Sequence, residues 1–156
     1  MNIITAVVDA DPGLWNKIID SNLNGNFLCS RKAGQIMRGQ QNGKIVNISS
    51  IAARRSAPAM GIYGIAKAGI EMLTKVLALE LVKYNIQVNA ICPGMFDTNL
   101  APQIKAAYMK NVKQLIPIGR FAQVEEMQGL AVFLASSASD YLVGAAIPID
   151  GGLSIR

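Results

Sequence analysis

The chain has 156 residues, 51% of them hydrophobic and 16% charged, and 15 Lys and Arg against 10 Asp and Glu give a formal net charge of +5. That is enough apolar material for one globular core, and no run of 18 or more apolar residues offers a helical membrane span. The basic residues are scattered and adjacent only at Arg31-Lys32 and Arg54-Arg55, which argues against nucleic acid as a partner. Histidine is absent, which excludes His-dependent triads and imidazole metal sites, and two cysteines alone make no zinc site. Cys29 and Cys92 sit in apolar stretches without a CxxC spacing, which predicts buried free thiols in a reducing compartment. Met1 is followed by no basic stretch and cleavage site, so a cytoplasmic protein is expected.

Asp11-Pro12, followed by Leu14, Trp15, Ile18, Ile19, Leu23 and Phe27, predicts a capped helix from about residue 12 towards 37. The short apolar run after Gly43 predicts a buried parallel strand over 44–49, leading into a small-residue loop over 50–59. Residues 61–83 are Ala-, Leu- and Lys-rich without proline, with Ile70, Leu73, Leu77 and Leu81 near helical spacing, which predicts a second long helix. A strand over 86–92 is stopped by Pro93-Gly94, and helices follow over 101–115 and 124–135. The last strand, 145–152, runs into a glycine turn, and Pro148 marks it as an edge. Strands alternating with helices predict an α/β fold with a doubly wound parallel sheet, whose ligands bind beyond the carboxyl ends of the strands.

Tyr63 and Lys67 lie four apart at the start of the second helix, so they share a face and the ammonium can approach the phenol. With four tyrosines and nine lysines, such a spacing arises by chance about 0.2 times, and a surface pair is the plain alternative. Ser50, thirteen residues before Tyr63 at the carboxyl end of a predicted strand, stands where such sheets keep their sites. Loop serines are otherwise turn formers and caps. Asn22 is a third element, a poor helix former inside a predicted helix.

In order and spacing, Asn22, Ser50, Tyr63 and Lys67 resemble the Asn, Ser, Tyr-x-x-x-Lys set of the short-chain dehydrogenase/reductase family. The likeness extends over Trp15 to Phe27, Ile45 to Ser50, Val88 to Gly94, Thr98, Pro117-Ile118-Gly119-Arg120 and Ile149-Asp150-Gly151-Gly152, which is nearly the whole chain. The resemblance implies a carbonyl/alcohol redox site using NAD or NADP and a small-molecule substrate. Tyr63 would move the alcohol proton, and Lys67 would favour its phenolate and grip the nicotinamide ribose. Ser50 would bond the substrate oxygen, and Asn22 would hold a water linking Lys67 to solvent. Pro93, Gly94 and Thr98 would line the nicotinamide, and no metal is implied. A homo-oligomer is expected from the same likeness.

The family pattern also begins with a strand, a TGxxxGxG turn and a helix that holds the pyrophosphate, then an NNAG-like strand end. None of these motifs occurs in the 156 residues, and Met1 aligns just after the last of them. The expectation is therefore a single partial Rossmann-like domain over 1–156 that binds dinucleotide poorly by itself. The strand over 44–49 would have an open apolar edge, to be covered by residues 1–9, a dimer partner or the remaining half of the domain. Two functions follow: an NAD(P)-dependent oxidoreductase, or an inactive truncated member acting at most as an oligomerisation or interaction module. The segment 93–108 is expected to be a lid, with sugars or polyols, 3-oxoacyl thioesters and steroid-like alcohols all open as substrates.

Overall fold

The computed structural model describes residues 5–55, 60–98 and 111–155. Its first helix opens as the sequence predicts: the Asp11 carboxylate accepts from the Leu14 amide at 3.0 Å, and Pro12 occupies the first turn, where a missing N–H costs nothing. The helix is not uniform. α1 (Pro12–Ile19) passes into a π-helical turn (Asp20–Asn24) and then α2 (Gly25–Gln40). The wide turn is a departure from the single α-helix that the apolar spacing suggests.

Three strands, β1 (Gly43–Ile48), β2 (Ile86–Pro93) and β3 (Ala146–Ile149), form a parallel sheet in the order β1-β2-β3. Joining the first two is α3 (Gly61–Leu81), close to its predicted span. α4 (Val112–Leu115) is what the described residues contain of the helix expected over 101–115; residues 101–110 lie outside them. α5 (Gln128–Ala135) follows a 3-10 turn (Val124–Met127), where the Glu126 carboxylate accepts from the Gln123 amide at 2.7 Å. β3 is shorter than predicted, and among the described residues Pro148 stands on a strand paired on one side only. No helix among the described residues is long and apolar enough to cross a membrane.

The central strand β2 is buried along its length, as a strand covered on both faces must be. Its Ile86 and Val88 pack with Ile45 of β1 and Ala78 and Leu81 of α3. α3 presents to the sheet the four-residue row Ile62, Ala66, Ile70, Thr74 and Ala78, all buried. Asn47 of β1 lies in that core, where the sequence pattern suggests only apolar groups. It is satisfied there: Ser30 of α2 donates to its Oδ1 at 2.8 Å, and its Nδ2 donates to Thr74 Oγ1 of α3 at 2.9 Å. Thus α2 and α3 share one face. Lys44, on the alternate face of β1, reaches Ser139 Oγ at 3.1 Å and Asp140 Oδ1 at 2.7 Å on the side where α5 packs.

One expectation needs correction. Cys92 is buried on β2, but Cys29 is exposed, because Phe27 and Leu28 beside it belong to the outward side of α2. Apolar neighbours on a helix do not imply a buried stripe unless they recur with its period. Along the β1 edge, Val7–Asp9 does not add a strand; it is a 3-10 turn whose Val7 lies against Gly61 at the start of α3. Among the described residues, β1 pairs with β2 alone.

Replacing Asn47 by Ala would leave the buried Ser30 hydroxyl without its acceptor and take a donor from Thr74, whose own proton still goes to the Ile70 carbonyl. A loss of about 1–3 kcal/mol is expected in urea unfolding, the usual cost of orphaning buried polar groups.

Candidate active site

The chain leaves β1 through Ser49 and Ser50, and the alternation of strand side chains sends the two hydroxyls in different directions. Ser49 is buried and donates to the Lys67 carbonyl oxygen at 2.9 Å, while the Lys67 ammonium donates back to the Ile48 carbonyl at 3.1 Å. This reciprocal pair fastens α3 across the strand end. Ser50 caps the 3-10 turn Ile51–Ala53 by accepting from the Ala52 amide at 3.1 Å. Its hydroxyl is left facing the first turn of α3, near enough to the Tyr63 phenol to favour the phenolate.

Backbone contact makes that meeting possible. A methyl group at Gly64 would stand 2.8 Å from the Ala52 carbonyl oxygen, so only glycine lets the first turn of α3 come this close to the serine loop. Tyr63 and Lys67 share one face, as their spacing requires, with the ammonium 5.5 Å from the phenol ring centroid.

The electrostatics differ from the simple cation argument. Burial pushes the Tyr63 phenol above its ordinary value, and the Ser50 hydrogen bond offsets only part of that. Burial also lowers the Lys67 ammonium from its ordinary value. Removing the phenol from water outweighs the help of an ammonium that is itself losing hydration, so the resting site keeps its phenolic proton.

Asn22 lies in the π-helical turn, with its amide nitrogen donating to the Ile18 carbonyl and to Ser21 Oγ, both at 3.0 Å. The turn packs on α3 two residues beyond Lys67, where a methyl at Gly69 would come within 2.9 Å of Leu23 Cδ2. Both of the Asn22 bonds stay within its own helical stretch. Wide turns of this kind often mark functional sites.

At the far end of β2, Gly94 donates to the Ile149 carbonyl at 2.9 Å, and a methyl there would stand 2.6 Å from the Asp150 Cα. Packing against Asp150 is therefore enough to require this glycine. The segment beyond is tied by Asp97 to the Ala122 carbonyl at 2.8 Å and by Ala122 to the Met95 carbonyl at 3.0 Å, and it carries Thr98, which is exposed. Residues 99–108 of the expected lid lie outside the described residues. Phenol, ammonium and the open strand ends are a donor set that fits the ribose and amide end of a nicotinamide nucleotide. Lys67 has three donors and spends one on Ile48.

Sequence reasoning missed Ser49 and Gly64. The doubled serine at a strand end, where one of two neighbours must point inward, was the available signal for the first. For the second it was a glycine placed directly after the tyrosine in a proline-free helix.

A parallel sheet flanked by helices, with serine, phenol and ammonium gathered beyond its strand ends, defines a Rossmann-like α/β protein. Residues 2–154 match the family model described as Enoyl-(Acyl carrier protein) reductase. The 3-oxoacyl-acyl-carrier-protein reductase of Synechocystis is 37% identical over 140 residues, which is 89% of this chain and 56% of that protein. The enzyme of that name from Thermotoga maritima is 38% identical over 141 residues, 90% of this chain and 57% of its own. Among solved structures, gluconate 5-dehydrogenase from Burkholderia cenocepacia in complex with NADP and tartrate superposes with a TM-score of 0.96 at 32% identity, covering 100% of this chain and 62% of that one. The chain belongs to the short-chain dehydrogenase/reductase family, and it spans little more than half the length of the curated relatives it matches.

A spectrophotometric titration should show one tyrosine ionising above the ordinary value near 10. That component should vanish in Tyr63→Phe. Gly64→Ala should cost about 1–3 kcal/mol in denaturant unfolding, as overpacking against a carbonyl does.

Proposed function

We propose that these residues form the catalytic part, a single partial Rossmann-like domain, of an NAD(P)-dependent oxidoreductase that interconverts a secondary alcohol and a carbonyl. The observation that carries the reading is the Lys67 ammonium 5.5 Å from the Tyr63 ring at the end of β1, with the serine loop of Ser50 pressed on the same helical turn at Gly64. When bound, the nicotinamide would supply the hydride acceptor or donor. Tyr63 gives its proton to the carbonyl oxygen in reduction and takes it back in oxidation. A phenol that holds its proton at neutral pH is suited to the reductive direction. Ser50 donates to the same oxygen and stabilises charge developing on it.

Lys67 grips the ribose and brings positive charge to the phenol, while Asn22 holds a water that links Lys67 to solvent. Pro93 and Gly94 at the β2 terminus, with Thr98 beyond, line the nicotinamide. Relatives are named for 3-oxoacyl and gluconate substrates, and small hydroxy or oxo compounds of those kinds are the ones to assay. The buried free thiol of Cys92 suits a cytoplasmic, reducing setting. Phe27, Leu28, Met72, Val76 and Leu79, exposed on α2 and α3, support a homo-oligomer.

Turnover in the protein that carries these residues should fall by about 10² to 10⁴ in Tyr63→Phe, the contribution of a positioned acid/base group. An unchanged rate, measured by nicotinamide absorbance with the unfolding midpoint as control, would refute the assigned role.

A further inference from the structure

The loop after Ser50 and the face of α3 meet at more than one point. Tyr63, Lys67 and Glu71 follow one another at four-residue steps along that face. The loop runs alongside them: Ser50 meets Tyr63, the Ala52 carbonyl meets Gly64, and Arg54 Nε reaches both Glu71 carboxylate oxygens at 3.1 Å. Arg54 is also anchored to β3, donating from a terminal nitrogen to the Ala146 carbonyl at 2.7 Å. Glu71 is mostly buried, its side chain 12% exposed, and it is held from β2 as well, where the Cys92 thiol donates to it at 3.2 Å. Burial and this carboxylate push the Cys92 thiol up to about 12, so it remains a donor. Arg55 adds a second tie, donating to the Leu153 carbonyl at 2.7 Å.

We infer that the Arg54–Glu71 pair is a positioning device that holds the Ser50 hydroxyl on the Tyr63 phenol. Ser50 is joined to α3 only through the loop that follows it, and a 3-10 turn of three residues is a weak spacer. An arginine clamped to a carboxylate on the helix and a carbonyl on the sheet fixes the far end of that turn in two directions, so the serine at its near end keeps its distance from the phenol. This deepens the function proposed above and rests on it only for its catalytic consequence. The alignment itself is measurable without turnover.

The test is a tyrosinate titration of the full chain with Tyr84, Tyr108 and Tyr141 changed to Phe, so that Tyr63 alone reports. Ser50→Ala should raise the Tyr63 pKa by roughly half to one unit, the range a single hydrogen bond supplies. Arg54→Gln and Glu71→Gln should each raise it in the same direction, and neither should add to Ser50→Ala. The shared sign separates positioning from plain charge, because losing the carboxylate would by itself lower the phenol pKa and losing the guanidinium would raise it. Arg54→Lys, which keeps a cationic donor for both the Glu71 carboxylate and the Ala146 carbonyl, should stay nearer the original value than Arg54→Gln, and this keeps the test alive if a neutral variant unfolds. Opposite shifts in the two single variants, no shift in either, or additivity with Ser50→Ala would each overturn the inference.

In the active protein the same variants should lower kcat with KM nearly unchanged. A pKa that moves as expected in a protein without redox turnover would uphold the positioning role and overturn the proposed function. Turnover unaffected by both variants, with an unmoved pKa, would do the reverse.

Discussion

The close approach of two backbones, α3 at Gly64 and the serine loop at Ala52, is the constraint on which the site depends. A side chain of even one carbon would be 2.8 Å from a carbonyl oxygen and would have to push the two apart. Everything that converges there is short. The Ser49 hydroxyl and the Lys67 ammonium cross the gap between strand end and helix in opposite directions, each satisfying a carbonyl, and the Ser50 hydroxyl spans to the phenol. Rigid secondary structure on both sides turns these small reaches into a fixed geometry. The parallel sheet supplies the other half of the arrangement, since the helix that leaves β1 must return to the start of β2 and so carries Tyr63 and Lys67 past the strand's carboxyl end.

Burial sets the chemistry as firmly as proximity does. The phenol and the ammonium are both moved away from their charged forms by loss of water, and neither shift is reversed by the other. The resting pair is therefore closer to neutral than an isolated tyrosine and lysine would be.

Much of this was legible in the amino-acid order. The strand over 44–49, the helix from 61 and the strand stopped at Pro93-Gly94 follow from period and punctuation, and the four-residue spacing fixes Tyr63 and Lys67 on one face. Less was legible where a side chain contradicts its local type. Asn47 reads as a flaw in an apolar strand, yet it joins α2 to α3 through Ser30 and Thr74, two partners that no local pattern connects to it. Cys29 reads as buried from its neighbours but depends on helix phase. Arg54 and Arg55 read as a minor basic spot, and only the fold shows that both are spent on a carboxylate and on carbonyls distant in sequence. Long-range pairing of this kind has no signature in a single sequence.

The π-helical turn also governs the phase of the helix that contains it. Around an unbroken α-helix, Ile18 and Ser30 would point about 120° apart, and only one of them could face the sheet. The extra residue in the wide turn removes about 100° of that rotation, and both are in fact buried. Asn22 sits within this correction. Straightening the turn at its present length would swing Ser30 off Asn47 and bring the Cys29 flank round towards the strands, whereas a one-residue deletion there would straighten it and leave Ile18 and Ser30 about 20° apart, so the register of α2 is set jointly by the length of this segment and its wide turn.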